Sequence, residues 1–371
     1  MILKSIELRN FKIHTDTKIN FCDKINYLIG GNGQGKTSVL EAIYYLCTSK
    51  NFNSKTDGEY VSFNTRFFEV EGIFDNLTVN KVSIQYSLID SKKVLIVDGK
   101  HIYRASELIG KYPVVVLTPG DHYITQGSPS ERRRFVDSII SQANQTYLHI
   151  LIDYNRTLRQ RAVLLNQLRE NNSNNLIPQL NAWSEKLILS GSEIIKHRIT
   201  FVNEFVNYVI KSYNLIMEEQ EKPEIIYEYL NGENIDTDIQ GKFHELMNSR
   251  IDDEIKRGIN LVGPHRDDII FRINGFDLKK FGSQGQHKTF QIMLRFAEYF
   301  YLKDTIGRNP IFLMDDVFGE LDAYRAFKIS EHLGELGQTF ITLTDFSNFT
   351  YLKKSDQDKV FNISQGKVGY A

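Results

Sequence analysis

Cysteine and net charge are both scarce in this chain, and each scarcity excludes a class of protein. Cys22 and Cys47 lie far apart, without the paired spacing or neighbouring histidines of a zinc framework, which favours buried thiols in a reducing compartment. With 45 basic and 46 acidic side chains the net charge is -1, so no overall field attracts nucleic acid or a membrane. Any such surface must be local.

Long apolar runs are also missing. No segment reaches the roughly 18 consecutive apolar residues of a membrane span. The N-terminal MILKSIELRNF alternates like a strand and lacks the apolar core of a signal peptide. The sequence therefore predicts a globular cytoplasmic protein, whose 371 residues leave room for two or three domains.

One glycine-rich loop carries a recognisable phosphate-binding pattern. The apolar strand Ile25 to Ile29 runs into G-x-x-x-x-G-K-[ST] and then into a helical pattern, the order in which backbone N–H groups can wrap a phosphate chain. Lys36 is expected to neutralise the outer phosphates and Thr37 to ligate magnesium. A plain strand-to-helix turn is the alternative. The expected ATP-binding residues are Gly30, Gly31, Asn32, Gly33, Gln34, Gly35, Lys36 and Thr37.

A second acidic position is needed to complete a magnesium shell, and PIFLMDDVFGELD supplies it. Ile311 to Met314 is a short apolar run that predicts a central parallel strand ending at two aspartates. Adjacent carboxylates at a strand end are costly unless a cation or water uses them. We assign Asp315 to magnesium and Asp316 to the attacking water; an N-cap pair for the next helix is the alternative.

Residues 129 to 257 change to helical periodicity between the two halves of this nucleotide-binding pattern. Two apolar seams joined by ENNSNNLIP predict an antiparallel helical hairpin with its tip at Asn171 to Asn175. The predicted domains are therefore residues 1–128 and 258–371 as the two halves of one head, and 129–257 as an arm. A core helix hairpin explains most of the apolar residues equally well.

Several basic residues in this central region invite a DNA-binding interpretation. Arg132, Arg133 and Arg134 fall in the first turn of a predicted helix, where the helix dipole disfavours cations, so other groups must hold them. The candidates are an Arg133–Asp137 pair, or an anion, a DNA phosphate backbone or a partner acid. The other basic groups, Arg156/Arg159/Arg161 and Lys196/His197/Arg198, are expected on solvated faces. HRDD at His265 to Asp268 lacks metal-ligand spacing and favours turn bonding or a phosphate contact by Arg266.

The order of these motifs resembles the SMC-type ATP-binding-cassette ATPases, and most closely the RecF family. The resemblance is carried by LRNFK, GGNGQGKT, LTPGDHYITQGSPSERRRFVD, GPHRDD, FGSQGQHKT and LMDDVFGELD. It implies an α/β ATPase head, a mixed sheet with flanking helices, interrupted by a mostly helical arm. It also implies that Ser283, Gln284, Gly285 and Gln286 close over the ATP of a partner subunit, and that Asp322 lies in the loop crossing the dimer.

The family resemblance further implies a DNA-dependent ATPase that acts in replication, gap repair and the SOS response. Its implied ligands are ATP, magnesium and single-stranded and duplex DNA, and its implied protein partners are a second copy and RecR and RecO type mediators, with no membrane. Because Asp316 stands where transporters usually carry the longer glutamate, we expect hydrolysis to be slow and to serve as a switch. His287 and Lys288 depart from the family pattern, and Thr344 and Asp345 stand where a transporter has its switch histidine. The rivals are a transporter-energising ATPase and an SMC-like protein that tethers DNA.

Overall fold

The structure, a computed structural model, describes residues 1–51, 56–76, 78–171, 174–217, 221–232, 238–345, 352 and 355–370. The centre of the predicted arm tip lies outside these residues. The chain divides into two compact units. The head unit comprises Met1–Asp121, Ser212–Glu218 and Ile292–Ala371, and the arm unit comprises His122–Lys211 and Glu219–Gln291.

The head unit holds two six-stranded sheets. The strands of the first are β1 (Ile2–Phe11), β2 (His14–Asn20), β4 (Phe67–Asp75), β5 (Val79–Ser87), β6 (Lys92–Val97) and β7 (Lys100–Ile102). They pair antiparallel in the order β2-β1-β4-β5-β6-β7. Polar and apolar residues alternate along β4, as expected for a sheet with one buried face.

The second sheet carries the predicted nucleotide-binding strands. Its members are β3 (Ile25–Ile29), β8 (Val114–Leu117), β12 (Ile311–Met314), β13 (Thr339–Leu343), β14 (Lys359–Ser364) and β15 (Lys367–Tyr370). The order is β15-β14-β3-β13-β12-β8, parallel except for β15. The predicted strands at 25–29 and 311–314 are confirmed, because their continuous apolar runs suit burial on both faces.

Helix α1 (Lys36–Thr48) lies in the main core of the head unit. Val39, Leu40, Ile43 and Leu46 are fully buried in one cluster with apolar residues of both sheets. Another helix of this unit, α9 (Ala323–His332), begins after Asp322, which is its N-cap.

The arm unit is mostly helical, as the periodicity predicts. Its helices are α2 (His122–Gln126), α3 (Pro129–Ala143), α4 (Gln145–Asn171), α5 (Ile177–Met217) as far as Lys211, α6 (Ile239–Arg257), α7 (Leu278–Phe281) and the start of α8 (Gln284–Ile306). A three-stranded sheet joins β9 (Pro223–Glu228), β10 (Asp268–Ile273) and β11 (Phe276–Asp277). Leu164, Leu165 and Leu168 of α4 cluster with Leu180 of α5, so the two long helices pack together near the tip.

The predicted boundary after residue 257 falls inside the arm unit, because β10 pairs antiparallel with β9 on the other side of that position. The signature segment therefore belongs to the arm unit up to Gln291, and α8 continues into the head unit. Within the described part of the chain, no helix is both long and apolar enough to cross a bilayer.

Candidate nucleotide-binding site

The glycine-rich loop follows β3, an inner strand of the second sheet. Strand β3 lies between β14 and β13, and α1 begins at Lys36 directly after the loop. Gly33 and Gly35 have φ angles of 74° and 106°, in the left-handed region that favours glycine. A Cβ on Gly30 would overlap the carbonyl oxygen of Ile363. The loop is therefore closely packed at its two ends, Gly30 and Gly35, and exposed between them, ahead of a helix N-terminus. This is a geometry that binds phosphate.

Lys36 folds back over this loop. Its Nζ donates to the carbonyl oxygens of Gly30 at 2.6 Å and Gly31 at 2.9 Å. Burial lowers the pKa of Lys36, although the carboxylates of Asp316 and Asp315 oppose the shift. An ammonium held by neutral carbonyls is poorly compensated, so phosphate oxygens are better partners for it.

Thr37 and Asp315 meet at the edge of the sheet. Because β3, β13 and β12 run parallel, their carboxyl ends share one edge, and the Thr37 hydroxyl donates to Asp315 Oδ1 at 2.9 Å. Burial raises the pKa of Asp315, and the neighbouring Asp316 charge adds to that effect. A hydroxyl beside a buried carboxylate fits magnesium, which prefers hard oxygen ligands and would stabilise the ionised acid.

Thr342 is a site residue that the sequence analysis missed. Its hydroxyl donates to Asp315 Oδ1 at 2.9 Å and accepts from the Asp316 backbone N–H at 2.8 Å, so one side chain fixes both aspartates. Asp316 itself is exposed and has a φ of 50°, a left-handed conformation that non-glycine residues adopt rarely and often at functional sites. The sequence feature that could have indicated this role is the polar Thr342 within the otherwise mostly apolar strand TFITL.

His14 is a second residue that the sequence analysis missed. The ring is fully buried beneath the loop, where Nε2 lies 3.1 Å from the Gly35 carbonyl oxygen and Nδ1 lies 2.9 Å from that of Gly366. His14 lies two residues beyond the LRNFK motif, and its neighbours in the sequence give no indication of a contact with the glycine loop. Only the structure brings it there.

The signature segment begins α8 with a capping box. The Ser283 hydroxyl accepts from the Gln286 N–H at 3.2 Å, and Gln286 Oε1 accepts from the Ser283 N–H at 2.9 Å. Gln286 also donates to Glu221 at 2.7 Å, and a Cβ on Gly282 would crowd the Leu278 carbonyl. Ser283 and Gln284 are exposed. The turn is a rigid helix N-terminus open to solvent, while its contact with a partner's ATP stays a prediction.

The three arginines of ERRR have separate environments. Arg132 is buried and makes a bidentate pair with Asp268 at 2.8 Å, which corrects our expectation that it contributes to DNA binding. Arg133 donates to the Asp267 carbonyl, and Asp137 pairs with Arg198 at 2.9 Å, so the expected Arg133–Asp137 pair is replaced. Arg134 is exposed beside Glu131.

Two other expected surface cations are also buried. Arg161 donates to Glu254 at 2.6 Å and to Asn260 at 2.7 Å with both charged side chains fully buried, and Arg198 is buried against Asp137. The HRDD turn is likewise structural, since Arg266 donates to the Asn260 carbonyl at 2.6 Å. No cluster of three or more histidine, cysteine or acidic ligands occurs among the residues that the structure describes.

Comparisons with known proteins agree with this geometry. A family model described as RecF/RecN/SMC N terminal domain matches residues 2–367. The DNA replication and repair protein RecF of Chloroherpeton thalassium is 39% identical over 95% of this chain and 98% of its own length. The RecF protein of Salinibacter ruber is 35% identical over 93% and 85%, respectively.

Solved structures give the same result. The recombination mediator protein RecF with ATP superposes with a TM-score of 0.90 at 32% identity, covering 100% of this chain and 97% of that one. An Smc head domain from Pyrococcus furiosus has a TM-score of 0.57 at 13% identity over 100% and 95% of the two chains, which shows the fold alone. The predicted fold class and family resemblance are confirmed.

Proposed function

The chain belongs to the RecF/RecN/SMC family, with RecF proteins as relatives along almost its whole length, and we propose that it is an ATP-dependent DNA-binding protein of RecF type. It acts in DNA replication, recombinational gap repair and the SOS response. The single observation that carries the nucleotide part is the Thr37–Asp315 contact of 2.9 Å at the edge of the sheet beside the glycine loop.

In this proposal the chain's own residues divide the work on ATP. The backbone from Gly30 to Gly35 and the ammonium of Lys36 bind the phosphates. Thr37 and Asp315 hold the metal, which when bound as magnesium neutralises charge on the phosphate oxygens. Asp316 orients the attacking water, and Thr342 keeps Asp315 and Asp316 in register through its single hydroxyl.

ATP also joins two copies of the protein in this proposal. The Ser283–Gln286 turn of one copy contacts the γ-phosphate bound to the other, as exposed N–H groups at a helix start can. Asp322 lies in the connecting loop beside that contact. Its role as the N-cap of α9, accepting from the Arg325 N–H at 2.9 Å, supports a fixed loop at this position. Two sandwiched ATP molecules therefore hold the dimer on DNA.

Hydrolysis is slow and serves to release the dimer. Asp316 stands where transporters carry glutamate, and its shorter side chain on a left-handed backbone positions a water less well. A switch needs only one turnover per binding event, whereas a motor needs many. Single-turnover rates of tens per second would contradict the switch.

The proposed nucleic-acid ligand is the junction of single-stranded and duplex DNA at a gap, with RecO and RecR type mediators as partners. Similarity to a recombination mediator of the RecFOR pathway supports this assignment. With Arg132 buried, Arg133 and Arg134 are the remaining proposed phosphate contacts. Binding should then depend on salt and only weakly on sequence.

Gel filtration with and without ATP, and with and without duplex DNA, tests the proposal. The wild-type protein should dimerise on ATP. Lys36→Arg should keep some nucleotide binding but lose hydrolysis, because arginine preserves the charge but not the position of the ammonium. Ser283→Arg should bind ATP as a monomer and fail to dimerise.

Persistent ATP-dependent dimerisation of Ser283→Arg would overturn the partner contact, and unchanged hydrolysis by Lys36→Arg would overturn the assigned site. The tethering alternative is not favoured. Helix α4 spans 27 residues, or about 40 Å at 1.5 Å per residue, which is too short to hold distant DNA segments together.

A further inference from the structure

His14 joins the phosphate loop to the end of the chain. The first residue of β2, it is fully buried, with Nε2 3.1 Å from the Gly35 carbonyl oxygen. On the other side of the ring, Nδ1 lies 2.9 Å from the Gly366 carbonyl oxygen and 3.2 Å from Thr17 Oγ1. One imidazole therefore spans the last glycine of the loop and the turn between β14 and β15.

The ring also forms part of the floor beneath Gly35. A Cβ at position 35 would lie 2.8 Å from His14 Nε2 and 2.8 Å from Ile13 Cγ2. Gly35 has a φ of 106° and immediately precedes Lys36 and Thr37. The conformation of Gly35 sets the direction in which the backbone enters α1. His14 and Ile13, which pack against Gly35, therefore help to hold the loop in a conformation that binds phosphate.

The turn between β14 and β15 secures the neighbouring residue. The Gln365 N–H donates to Gln34 Oε1 at 2.7 Å, and the Gly366 N–H donates to the Gln34 carbonyl at 3.1 Å. The turn thus holds Gln34 while His14 holds Gly35. Because His14 contacts Gly366 as well as Gly35, its ring connects the phosphate loop to the turn between β14 and β15.

The contacts of the His14 ring bear on its protonation state. Both nitrogens face carbonyl oxygens, which only accept hydrogen bonds, and the Thr17 hydroxyl already donates to Gly366 at 2.9 Å. A neutral imidazole has one N–H, whereas an imidazolium has two. Only the charged ring satisfies every contact in this arrangement.

Burial nevertheless lowers the pKa of His14, while the hydrogen bonds to the Gly35 and Gly366 carbonyls oppose the shift. No charged side chain in the described part of the chain shifts this pKa. Asp16 and Lys18 on β2 and Lys367 on β15 are exposed. Lys12, which precedes β2, bonds to Glu41 of α1, and Lys36 bonds to the loop carbonyls.

We propose that His14 is a positioning residue for the phosphate loop, and that its ring gains a second proton when ATP binds. This inference rests on the proposed ATP site. The triphosphate brings negative charge that Lys36 only partly offsets, which favours the charged ring and completes its two hydrogen bonds. Protonation in turn stabilises the Gly35 conformation to which the phosphates bind.

Calorimetry with a non-hydrolysable ATP analogue and magnesium tests the proposal on the full-length protein. Titrations at pH 7 in two buffers of different ionisation enthalpy give the protons taken up on binding. His14→Gln retains an N–H donor but cannot titrate, so it should still bind the analogue, more weakly than the wild type, while the proton uptake disappears. His14→Leu should bind roughly tenfold more weakly, the effect of about one lost hydrogen bond.

Exposed His101 on β7 provides the matched control, because His101→Gln makes the same substitution in the head unit away from the glycine loop. This variant should keep the wild-type uptake. Uptake by His14→Gln equal to that of the wild type would overturn the inference even if His14→Leu fails to fold. If the wild-type protein binds no analogue, the proposed function itself falls, so the two failures are distinguishable.

Discussion

Two regions of the molecule contain buried charged side chains, and the groups that hydrogen-bond to them differ. At the nucleotide site of the head unit, Lys36 donates to two carbonyls and Asp315 accepts from two hydroxyls. In the arm unit, Arg132, Arg161 and Arg198 are each held by a carboxylate. At the nucleotide site, the groups that hydrogen-bond to Lys36 and Asp315 are uncharged. In the arm unit, the groups that hydrogen-bond to the arginines are carboxylates, which neutralise the positive charge.

This difference separates a binding site from a scaffold. Buried charges with neutral partners remain poorly compensated, and a ligand of opposite charge relieves them. Buried arginines already matched by acids gain nothing from a ligand. Removing one member of such a pair destabilises the fold, because the other charge is left buried without its partner. We therefore expect substitutions at the two regions to affect different measurements.

The largest effect should come from Arg161→Met in the arm unit. Removal of the guanidinium leaves Glu254 buried without its cation, which should lower the free energy of unfolding of this unit by about 3–5 kcal/mol. The chain's only tryptophan, Trp183, packs beside Leu180 in the helical hairpin, so its fluorescence in urea reports on the arm. Affinity for an ATP analogue should stay unchanged.

Two companion variants sharpen this result. Arg161→Met combined with Glu254→Met removes both charges and should recover much of the stability. Lys36→Met should do the reverse, with roughly 10- to 100-fold weaker ATP binding but an unfolding curve within about 1 kcal/mol of the wild type. A similar loss of arm stability in the Lys36 and Arg161 variants would break the comparison.

Asp315→Asn should separate function from stability within the head unit. Loss of the carboxylate that holds the metal should slow hydrolysis by at least about 100-fold. Because burial raises the pKa of Asp315, a neutral amide there should leave thermal stability unchanged or higher. The matched change in the arm is Asp268→Asn, which breaks the bidentate pair with Arg132 and should lower stability while hydrolysis continues.

The pH dependence of arm stability provides a smaller test. Burial lowers the pKa of His265 to about 4, and its ring contacts the Tyr154 hydroxyl at 2.7 Å. The unfolded histidine takes up a proton near its ordinary pKa of 6.5, but the folded one does so only near 4. His265 should therefore lower arm stability by about 1–3 kcal/mol as the pH drops from 6.5 to 4. Asp267, whose pKa burial raises to about 6, contributes with the opposite sign over the same range, so the His265 contribution is the difference between the wild type and a His265 variant.

Trp183 fluorescence in urea at several pH values measures this fall. His265→Gln should lose less stability than the wild type between pH 7 and 4, with each protein compared with its own stability at pH 7. His149→Gln, which removes an exposed histidine of α4, should retain the wild-type profile. Equal slopes for the His265 variant and the wild type would refute the assignment.

The head site could be predicted from sequence largely because its signals are local. The strand from Ile25 to Ile29, the glycines and Lys36 are consecutive, and Asp315 directly follows a short apolar strand. In the arm unit, Ser283 and Gln286 are likewise only three residues apart, which suits a capping box at the start of α8. Backbone geometry and nearest neighbours dictate these features, so a short stretch of chain contains the information.

The missed residues depend on partners distant in sequence. Arg132 meets Asp268 across 136 positions and His14 meets Gly366 across 352, separations that no helical or strand period encodes. The helix dipole correctly indicated that the ERRR cations need support, but it could not identify Asp268 as the support for Arg132. Thr342 was missed because its role depends on the parallel order of β3, β13 and β12.

Arg134 should give the smallest effect on stability and thereby mark the edge of the arginine network. Its exposed guanidinium lies 3.4 Å from Glu131, an i,i+3 surface pair worth less than about 0.5 kcal/mol. Arg134→Ala should leave the Trp183 unfolding curve unchanged.

If Arg134 contacts a DNA phosphate as proposed, the slope of log affinity against log salt should fall by about one in Arg134→Ala. Lys196→Ala removes a comparable cation, paired with Glu193 at i,i+3, and should leave that slope unchanged. Equal slopes for the two variants would place the DNA contact elsewhere, because loss of any exposed cation would then have the same effect.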